Sequence, residues 1–117
     1  MASKADEKGV VPPVANLFAD LPDARTSEVF SAVLARPGLR IERIVSHGQT
    51  TPEDAPFVQV EDEWVLLLRG SAGIRIEGSG EVALKPGDHL LIPGGKRHWV
   101  TRTAPDAPTL WLAIHLG

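Results

Sequence analysis

Short apolar segments separated by turns recur along this chain from residue 28 to residue 116. Residues 39–46 and 109–116 alternate between two faces, and residues 64–68 form the most hydrophobic run. Ten prolines and eleven glycines are spread between these segments. Short apolar runs with such frequent turn residues are typical of strands, so the pattern predicts an all-β domain with roughly eight or more strands and at most short helical turns.

The beginnings and ends of the apolar runs predict the individual strands. We assign them to residues 28–34, 39–46, 57–60, 64–68, 72–77, 81–85, 90–92, 98–101 and 109–116. The first segment is apolar on both faces, so a short helix is an alternative there. Turn residues at 36–38 and 78–80 predict hairpins.

The strand predicted at residues 109–116 is apolar on both faces. Trp111, Ala113 and His115 share one face, and the intervening aliphatic residues share the other. Only one of these faces can line the interior of a small barrel, so the other must be covered from outside. The N-terminal segment or a second subunit could provide that cover.

The N-terminal region differs in composition from the rest of the chain. Residues 1–9 are small, polar or charged, and they predict a flexible tail. Residues 12–22 mix helix breakers with isolated apolar residues, which predicts a strap anchored by Leu17 and Phe18. We therefore divide the chain into a tail and strap, residues 1–22, and a barrel domain, residues 23–117.

Composition excludes several classes of partner and site. The 117 residues are enough for one domain with a core. A net charge of −3 without a basic run argues against nucleic acid as a partner. The chain has no cysteine, so it has no disulfide and no thiolate metal site. Because no signal peptide, membrane span or phosphate-binding glycine loop is evident, we expect a cytoplasmic protein without a membrane partner or organic cofactor.

His98 is the first candidate for chemistry, because it opens a predicted strand directly after the turn Pro93-Gly94-Gly95. A side chain in this position projects from a fixed backbone, as a ligand or a catalytic base requires. A turn-capping role is the alternative. His89, by contrast, is expected to be structural or at an interface.

The stretch around His98 resembles the second conserved motif of the cupin superfamily. Gly87, Pro93, Gly95 and His98 occupy four positions of that motif, and Arg102 stands where the motif has asparagine. Segments 41–46, 62–65 and 111–115 also resemble small single-domain bacterial cupins. The resemblance extends over roughly residues 39–116.

The first cupin motif is matched in part. Glu63 and Gly70 have the separation of its glutamate and glycine, whereas Phe57 and Gln59 stand where it has two histidines. The resemblance implies a jelly-roll β-barrel of two antiparallel sheets, with a pocket at its mouth.

The resemblance also implies one divalent metal ion, such as iron, manganese, nickel or zinc. Its ligands would be His98, Glu63, Gln59 and His47, the last of these replacing a lost histidine in space. Each has a structural alternative: Glu63 could lie in water at the strand mouth, Gln59 could organise the mouth by hydrogen bonding, and His47 could face solvent. The expected walls of the pocket are Phe57, Gln49, Trp99, Trp111 and His115. His115 is either a satisfied core residue or a pocket acid or base.

Three kinds of function are compatible with these residues. The first is a metal-dependent enzyme acting on a small molecule, with catalytic residues that the sequence does not identify. The second is a non-enzymatic cupin that binds or senses a small ligand without metal, and the third is a barrel that has kept its fold without a site. We also expect a two-fold homodimer that buries Trp64 or Trp111 and part of residues 12–34.

Overall fold

Eight strands form the framework of the computed structural model, which describes residues 12–117. The strands are β1 (Val29–Arg36), β2 (Leu39–Ser46), β3 (Asp62–Arg69), β4 (Ala72–Ile76), β5 (Glu81–Leu84), β6 (His89–Ile92), β7 (His98–Thr103) and β8 (Thr109–Leu116). This part of the chain contains no helix, and therefore no helix able to cross a membrane. The all-β prediction is confirmed.

All strand pairs are antiparallel and belong to two sheets. One sheet has five strands in the order β1-β2-β8-β3-β6, and the other has three in the order β5-β4-β7. The two sheets predicted from the sequence are thus confirmed, but they do not close into one continuous barrel. Residues 57–60, predicted to be a strand, contribute only an isolated bridge between Phe57 and His98.

The core lies between the two sheets, because each strand turns alternate side chains inward. Val65, Leu67 and Ala113 of the large sheet meet Ile74 of the small sheet there, and all four are almost fully buried. Trp111 belongs to the same cluster. The Trp111 face of β8 is therefore the interior face, and the face with Leu110 and Leu112 points away from the core.

Residues 17–24 lie against this second face of the large sheet. Leu21 and Ala24 pack on Val45 and Leu110. The guanidinium of Arg43 donates hydrogen bonds to two backbone carbonyls of the same segment, at 2.8 and 3.3 Å. The segment thus covers part of the outer surface. The tail predicted at residues 1–9 lies outside the described residues.

The two tryptophans proposed for a dimer interface have different environments. Trp111 is buried in the core, so it is not available for an interface. Trp64 is half-buried on the outer face, with its ring centroid 5.2 Å from that of His89. The homodimer stays a prediction, with Trp64 as its remaining tryptophan candidate.

The turn between β6 and β7 fixes residues 57–60 beside the core. Gly95 donates its N–H to the carbonyl of Gln59 at 2.7 Å, and Gly94 donates to the Asp62 side chain at 2.8 Å. A Cβ atom on Gly94 would overlap the carbonyl oxygen of Val60. Only glycine allows this close backbone approach, which brings Phe57 and Gln59 next to His98.

We expect Gly94→Ala to destabilise the protein by about 3 kcal/mol, because the clash is with backbone that cannot rotate away. Gly80→Ala is the matched control, since a Cβ there meets nothing within 4 Å. Chemical denaturation of the two variants measures the difference. Equal stabilities would show that the turn can move away from residues 57–60.

Candidate functional site

A cavity of about 190 Å³ lies between the sheets, and we call it the central cavity. Its apolar wall consists of Phe30, Ile44, Phe57, Val65, Ile74, Ile92, Val100 and Trp111. Its polar wall consists of Glu28, Arg40, Glu42, Gln59, Glu63, His98 and His115. At ~30 Å³ for each water molecule, the volume equals roughly six waters, so the cavity suits a small organic molecule.

Strand alternation and register bring the polar side chains together. Glu63 on β3 is opposite His115 on β8, and the next residue pair inward on the same face is Val65 with Ala113. Glu42 on β2 is opposite Ala113 from the other side of β8. His98 begins β7 in the facing sheet. The titratable groups thus project between the sheets from both sides.

Two imidazoles and two carboxylates form a continuous cluster in the cavity wall. Glu42 Oε1 lies 3.1 Å from His115 Nε2, and Glu63 Oε2 lies 4.0 Å from the same nitrogen. Glu63 Oε1 lies 3.4 Å from His98 Nε2. Glu63, His98 and His115 are 8, 4 and 6% exposed, and charges so well buried require partners. The cluster supplies those partners internally.

The hydrogen bonds of His98 determine which of its nitrogens carries a proton. Its Nδ1 lies 3.2 Å from the carbonyl oxygen of Lys96, which can only accept, so Nδ1 carries a hydrogen. Nε2 therefore faces Glu63 Oε1 across 3.4 Å. The two atoms are close enough for an ion pair when the imidazole is protonated, but no hydrogen bond joins them.

His115 has the opposite arrangement. Its Nδ1 is buried and has no hydrogen-bond partner among residues 12–117, and its Nε2 is within hydrogen-bond distance of Glu42. A hydrogen on Nδ1 would be left unsatisfied, which is costly in a buried site. In the neutral ring, the favoured tautomer therefore has its hydrogen on Nε2, donated to Glu42.

A second set of hydrogen bonds orients Glu28. The indole N–H of Trp111 donates to Ser46 Oγ at 3.1 Å, and Ser46 Oγ donates to Glu28 Oε2 at 2.5 Å. Glu28 precedes β1 and lines the cavity. Its carboxylate is thus held at the cavity wall by a side chain from the core.

Arg40 lines the cavity, but its guanidinium is already paired with two carboxylates. Its Nη1 lies 3.1 Å from Glu61 Oε2, and its Nε lies 3.8 Å from Glu42 Oε2. The pKa of Glu61 is held below its usual value, first by a hydrogen bond from its own backbone N–H and then by the Arg40 guanidinium. This guanidinium is therefore already committed to carboxylates.

Six residues predicted for the site do line the cavity: Phe57, Gln59, Glu63, His98, Trp111 and His115. The Phe57 ring is stacked on the His98 imidazole, with ring centroids 5.6 Å apart. The amide nitrogen of Gln59 donates to Glu63 Oε1 at 3.3 Å. Gln59 therefore supports Glu63 instead of presenting its oxygen to the same point.

Three other predicted residues lie outside the central cavity. His47 follows Ser46, whose side chain points inward, so alternation turns His47 away. Gln49 accepts from the His47 N–H and donates to the Ala24 carbonyl, which closes a loop instead of lining the cavity.

Trp99 pairs in register with Arg75 on the outer side of the small sheet. The Arg75 guanidinium lies 3.9 Å from the centroid of the Trp99 indole ring, and the indole Nε1 of Trp99 donates to the Glu53 carbonyl at 3.1 Å. Trp99 faces outward because side chains alternate along β7, and its neighbours His98 and Val100 point into the cavity.

The sequence reasoning missed Glu28, Phe30, Arg40 and Glu42. Alternation in β2 could have identified Glu42, because it shares a face with Ile44 and Ser46, opposite Ile41 and Arg43. No motif points to Glu28 or Phe30, which reach the cavity only because β1 pairs with β2.

The cluster does not fit a divalent metal ion as placed. His98 Nε2 and Glu63 are suitable donors, but such sites usually require three or more protein ligands. His115 Nε2 is held by Glu42, Gln59 directs its amide nitrogen to Glu63, and Phe57 has no donor atom. Within residues 12–117, no group of three or more His, Cys, Asp or Glu side chains is arranged to hold a metal. The structure therefore does not support the predicted metal ligands.

Comparison with solved structures gives clear similarities. A protein of Ralstonia eutropha JMP134, provisionally described as a mannose-6-phosphate isomerase, is 44% identical, covers 90% of this chain and 98% of its own, and superposes with a TM-score of 0.85. A cupin superfamily protein of Desulfitobacterium hafniense is 21% identical over 92% of this chain and 94% of its own, with a TM-score of 0.71. An RmlC-like cupin of Methanocaldococcus jannaschii is 13% identical over 92% and 93%, with a TM-score of 0.68. No protein-family model and no curated protein matches.

We expect the two cavity histidines to show opposite protonation patterns in long-range ¹H–¹⁵N NMR spectra. His98 should carry a hydrogen on Nδ1, because that atom donates to Lys96 O, and His115 should carry its hydrogen on Nε2. His89→Gln and His47→Gln assign the remaining signals. A hydrogen on Nδ1 of His115 in the neutral ring would contradict the assigned pairing with Glu42.

Proposed function

Because this chain shares the fold of cupin superfamily proteins, and one fold can serve many functions, we propose a function from the site itself. We infer that the central cavity binds one small organic molecule and that its buried imidazole–carboxylate pairs transfer protons to and from that molecule. The observation that carries this proposal is the cluster of Glu42, His115, Glu63 and His98, which lines the cavity within a largely apolar wall.

The cluster contains both partners that proton transfer requires. His98 Nε2 lies 3.4 Å from Glu63 Oε1 at the cavity wall, and when protonated this imidazole can donate a proton as a general acid. The Glu42 carboxylate lines the cavity and is held by a hydrogen bond with His115 Nε2, so that pair can take up a proton at the carboxylate.

Removal of a proton from a carbon next to a carbonyl is a reaction that suits this arrangement. A base takes the C–H proton, the electron pair forms a carbon–carbon double bond, and an acid protonates the carbonyl oxygen. Where the deprotonated carbon carries a hydroxyl group, the product is an enediol: return of a proton to the former carbonyl carbon and loss of the proton from the other hydroxyl oxygen then complete an isomerisation, with no redox change and no added reactant. The provisional description of the Ralstonia protein as a sugar phosphate isomerase supports this class of reaction.

The phosphate group in that description is less well supported for this chain. Three carboxylates line the cavity, and its one guanidinium, Arg40, is already paired with Glu61 and Glu42. A phosphate would meet net negative charge there. We therefore propose an unphosphorylated substrate with few heavy atoms.

Proton transfer can be tested without knowing the natural substrate. We would incubate the protein in D₂O with dihydroxyacetone, glyceraldehyde or aminoacetone and follow loss of the C–H signal next to the carbonyl by ¹H NMR. We expect exchange above the uncatalysed rate. Glu42→Gln and His98→Gln should each lower the rate by about 10²–10⁴-fold, the usual contribution of general acid–base catalysis.

His89→Gln is the matched control, because this histidine packs against Trp64 outside the cavity. Its rate should equal that of the unmodified protein. If all three compounds shift the His98 and His115 signals but none exchanges, the proton-transfer proposal is contradicted and the cavity is a non-enzymatic binding site.

Metal analysis tests the alternative that was predicted from the cupin motifs. We expect elemental analysis of the purified protein, before and after incubation with Fe²⁺, Mn²⁺, Ni²⁺ and Zn²⁺, to give well under one equivalent of metal, because the cluster lacks a third free ligand. One equivalent of metal that disappears in His98→Ala and remains in His89→Ala would instead establish the metal-dependent function.

A further inference from the structure

We propose that the central cavity selects a small organic cation, such as an alkylammonium group, over neutral and anionic molecules of the same size. This inference rests on the proposed function only in requiring that the cavity bind a small molecule. Together the two proposals describe a small carbonyl compound that also carries an amine.

Charge is the first argument. Glu28, Glu42 and Glu63 line the cavity, and Arg40 is the only permanent cation among the described residues that do so. The Arg40 guanidinium is paired with Glu61, which lies outside the cavity, at 3.1 Å. Even when a protonated His98 balances Glu63, Arg40 has to balance both Glu61 and Glu42, so the described wall keeps a net negative charge.

Glu28 is the carboxylate best placed to meet such a cation. Ser46 donates to one of its oxygens at 2.5 Å, and Ser46 is itself held by the Trp111 indole. Glu28 makes no ion pair with any basic side chain in residues 12–117. An oriented carboxylate at a partly buried wall favours a ligand that brings the opposite charge.

Aromatic rings are the second and independent argument. Phe30, Phe57 and Trp111 line the same cavity. The faces of such rings attract ammonium groups, and the attraction increases when water is excluded. Walls that combine aromatic faces with carboxylates provide two kinds of contact that a neutral isostere would lack.

The same wall offers little to an anion. Arg40 is committed to carboxylates, and the Nδ1 hydrogen of His98 points to the Lys96 carbonyl. Nε2 of His98 and Nε2 of His115 both face carboxylate oxygens of the cluster. An anion would therefore have to displace an existing partner before it gained one.

Choline and 3,3-dimethyl-1-butanol are suitable probes, because they have nearly the same shape and differ in the charge of the central atom. We would measure both affinities by isothermal titration calorimetry at low salt and locate binding from the NMR signals of His98 and His115. We expect choline to bind at least about tenfold more tightly than the neutral alcohol, and inorganic phosphate to bind more weakly than either.

Glu28→Gln should reduce the choline preference several-fold while keeping an acceptor for Ser46. Glu81→Gln removes the same charge from an exposed strand of the small sheet, so it should leave the preference unchanged. Thermal unfolding of each variant checks that the fold is retained.

Equal affinities for choline and the alcohol, no binding of either, or tighter binding of phosphate would overturn the inference. These results are independent of the exchange experiment, since choline has no carbonyl group. Exchange without a choline preference would leave the proposed function intact, and a choline preference without exchange would leave only the binding inference.

Discussion

The burial of Glu63 between two imidazoles is the constraint on which the site depends. This carboxylate lies near the start of a hydrophobic strand, and its neighbours on the same face are Val65 and Leu67. An unpaired charge in that position would be costly. Three polar side chains from different parts of the chain reduce this cost by approaching the two oxygens of Glu63. His98 and Gln59 lie beside Oε1, and His115 lies 4.0 Å from Oε2.

That requirement links the site to the architecture of the two sheets. His115 reaches Glu63 because β8 pairs with β3, and Glu42 reaches His115 because β2 pairs with the other edge of β8. His98 comes from the facing sheet, and the tight turn at Gly94 holds residues 57–60 beside it. The strand pairing that packs the sheets also assembles the cluster, so a loss of register would disrupt both.

The central cavity combines a largely apolar wall with an unequal distribution of charge. Aromatic and aliphatic side chains beside the polar groups lower the local dielectric constant, which strengthens their electrostatic interactions. Carboxylates outnumber free cations at this wall because Arg40 is neutralised by Glu61 at the edge. The fold of the superfamily does not dictate this balance; it comes from the particular residues on β1 and β2 that face inward.

The sequence by itself determined most of the fold, because period-two alternation and glycine or proline turns act locally and are visible in the residues. It also pointed to six residues that line the central cavity: His98, Glu63, Gln59, Phe57, Trp111 and His115. Only the tertiary structure decided that Glu42 joins them and that His47, Gln49 and Trp99 do not. The reason is that strand pairing and facing direction depend on contacts between residues far apart in the chain. A motif specifies the types of side chain, but the partners of each nitrogen and oxygen decide whether those side chains hold a metal or move a proton.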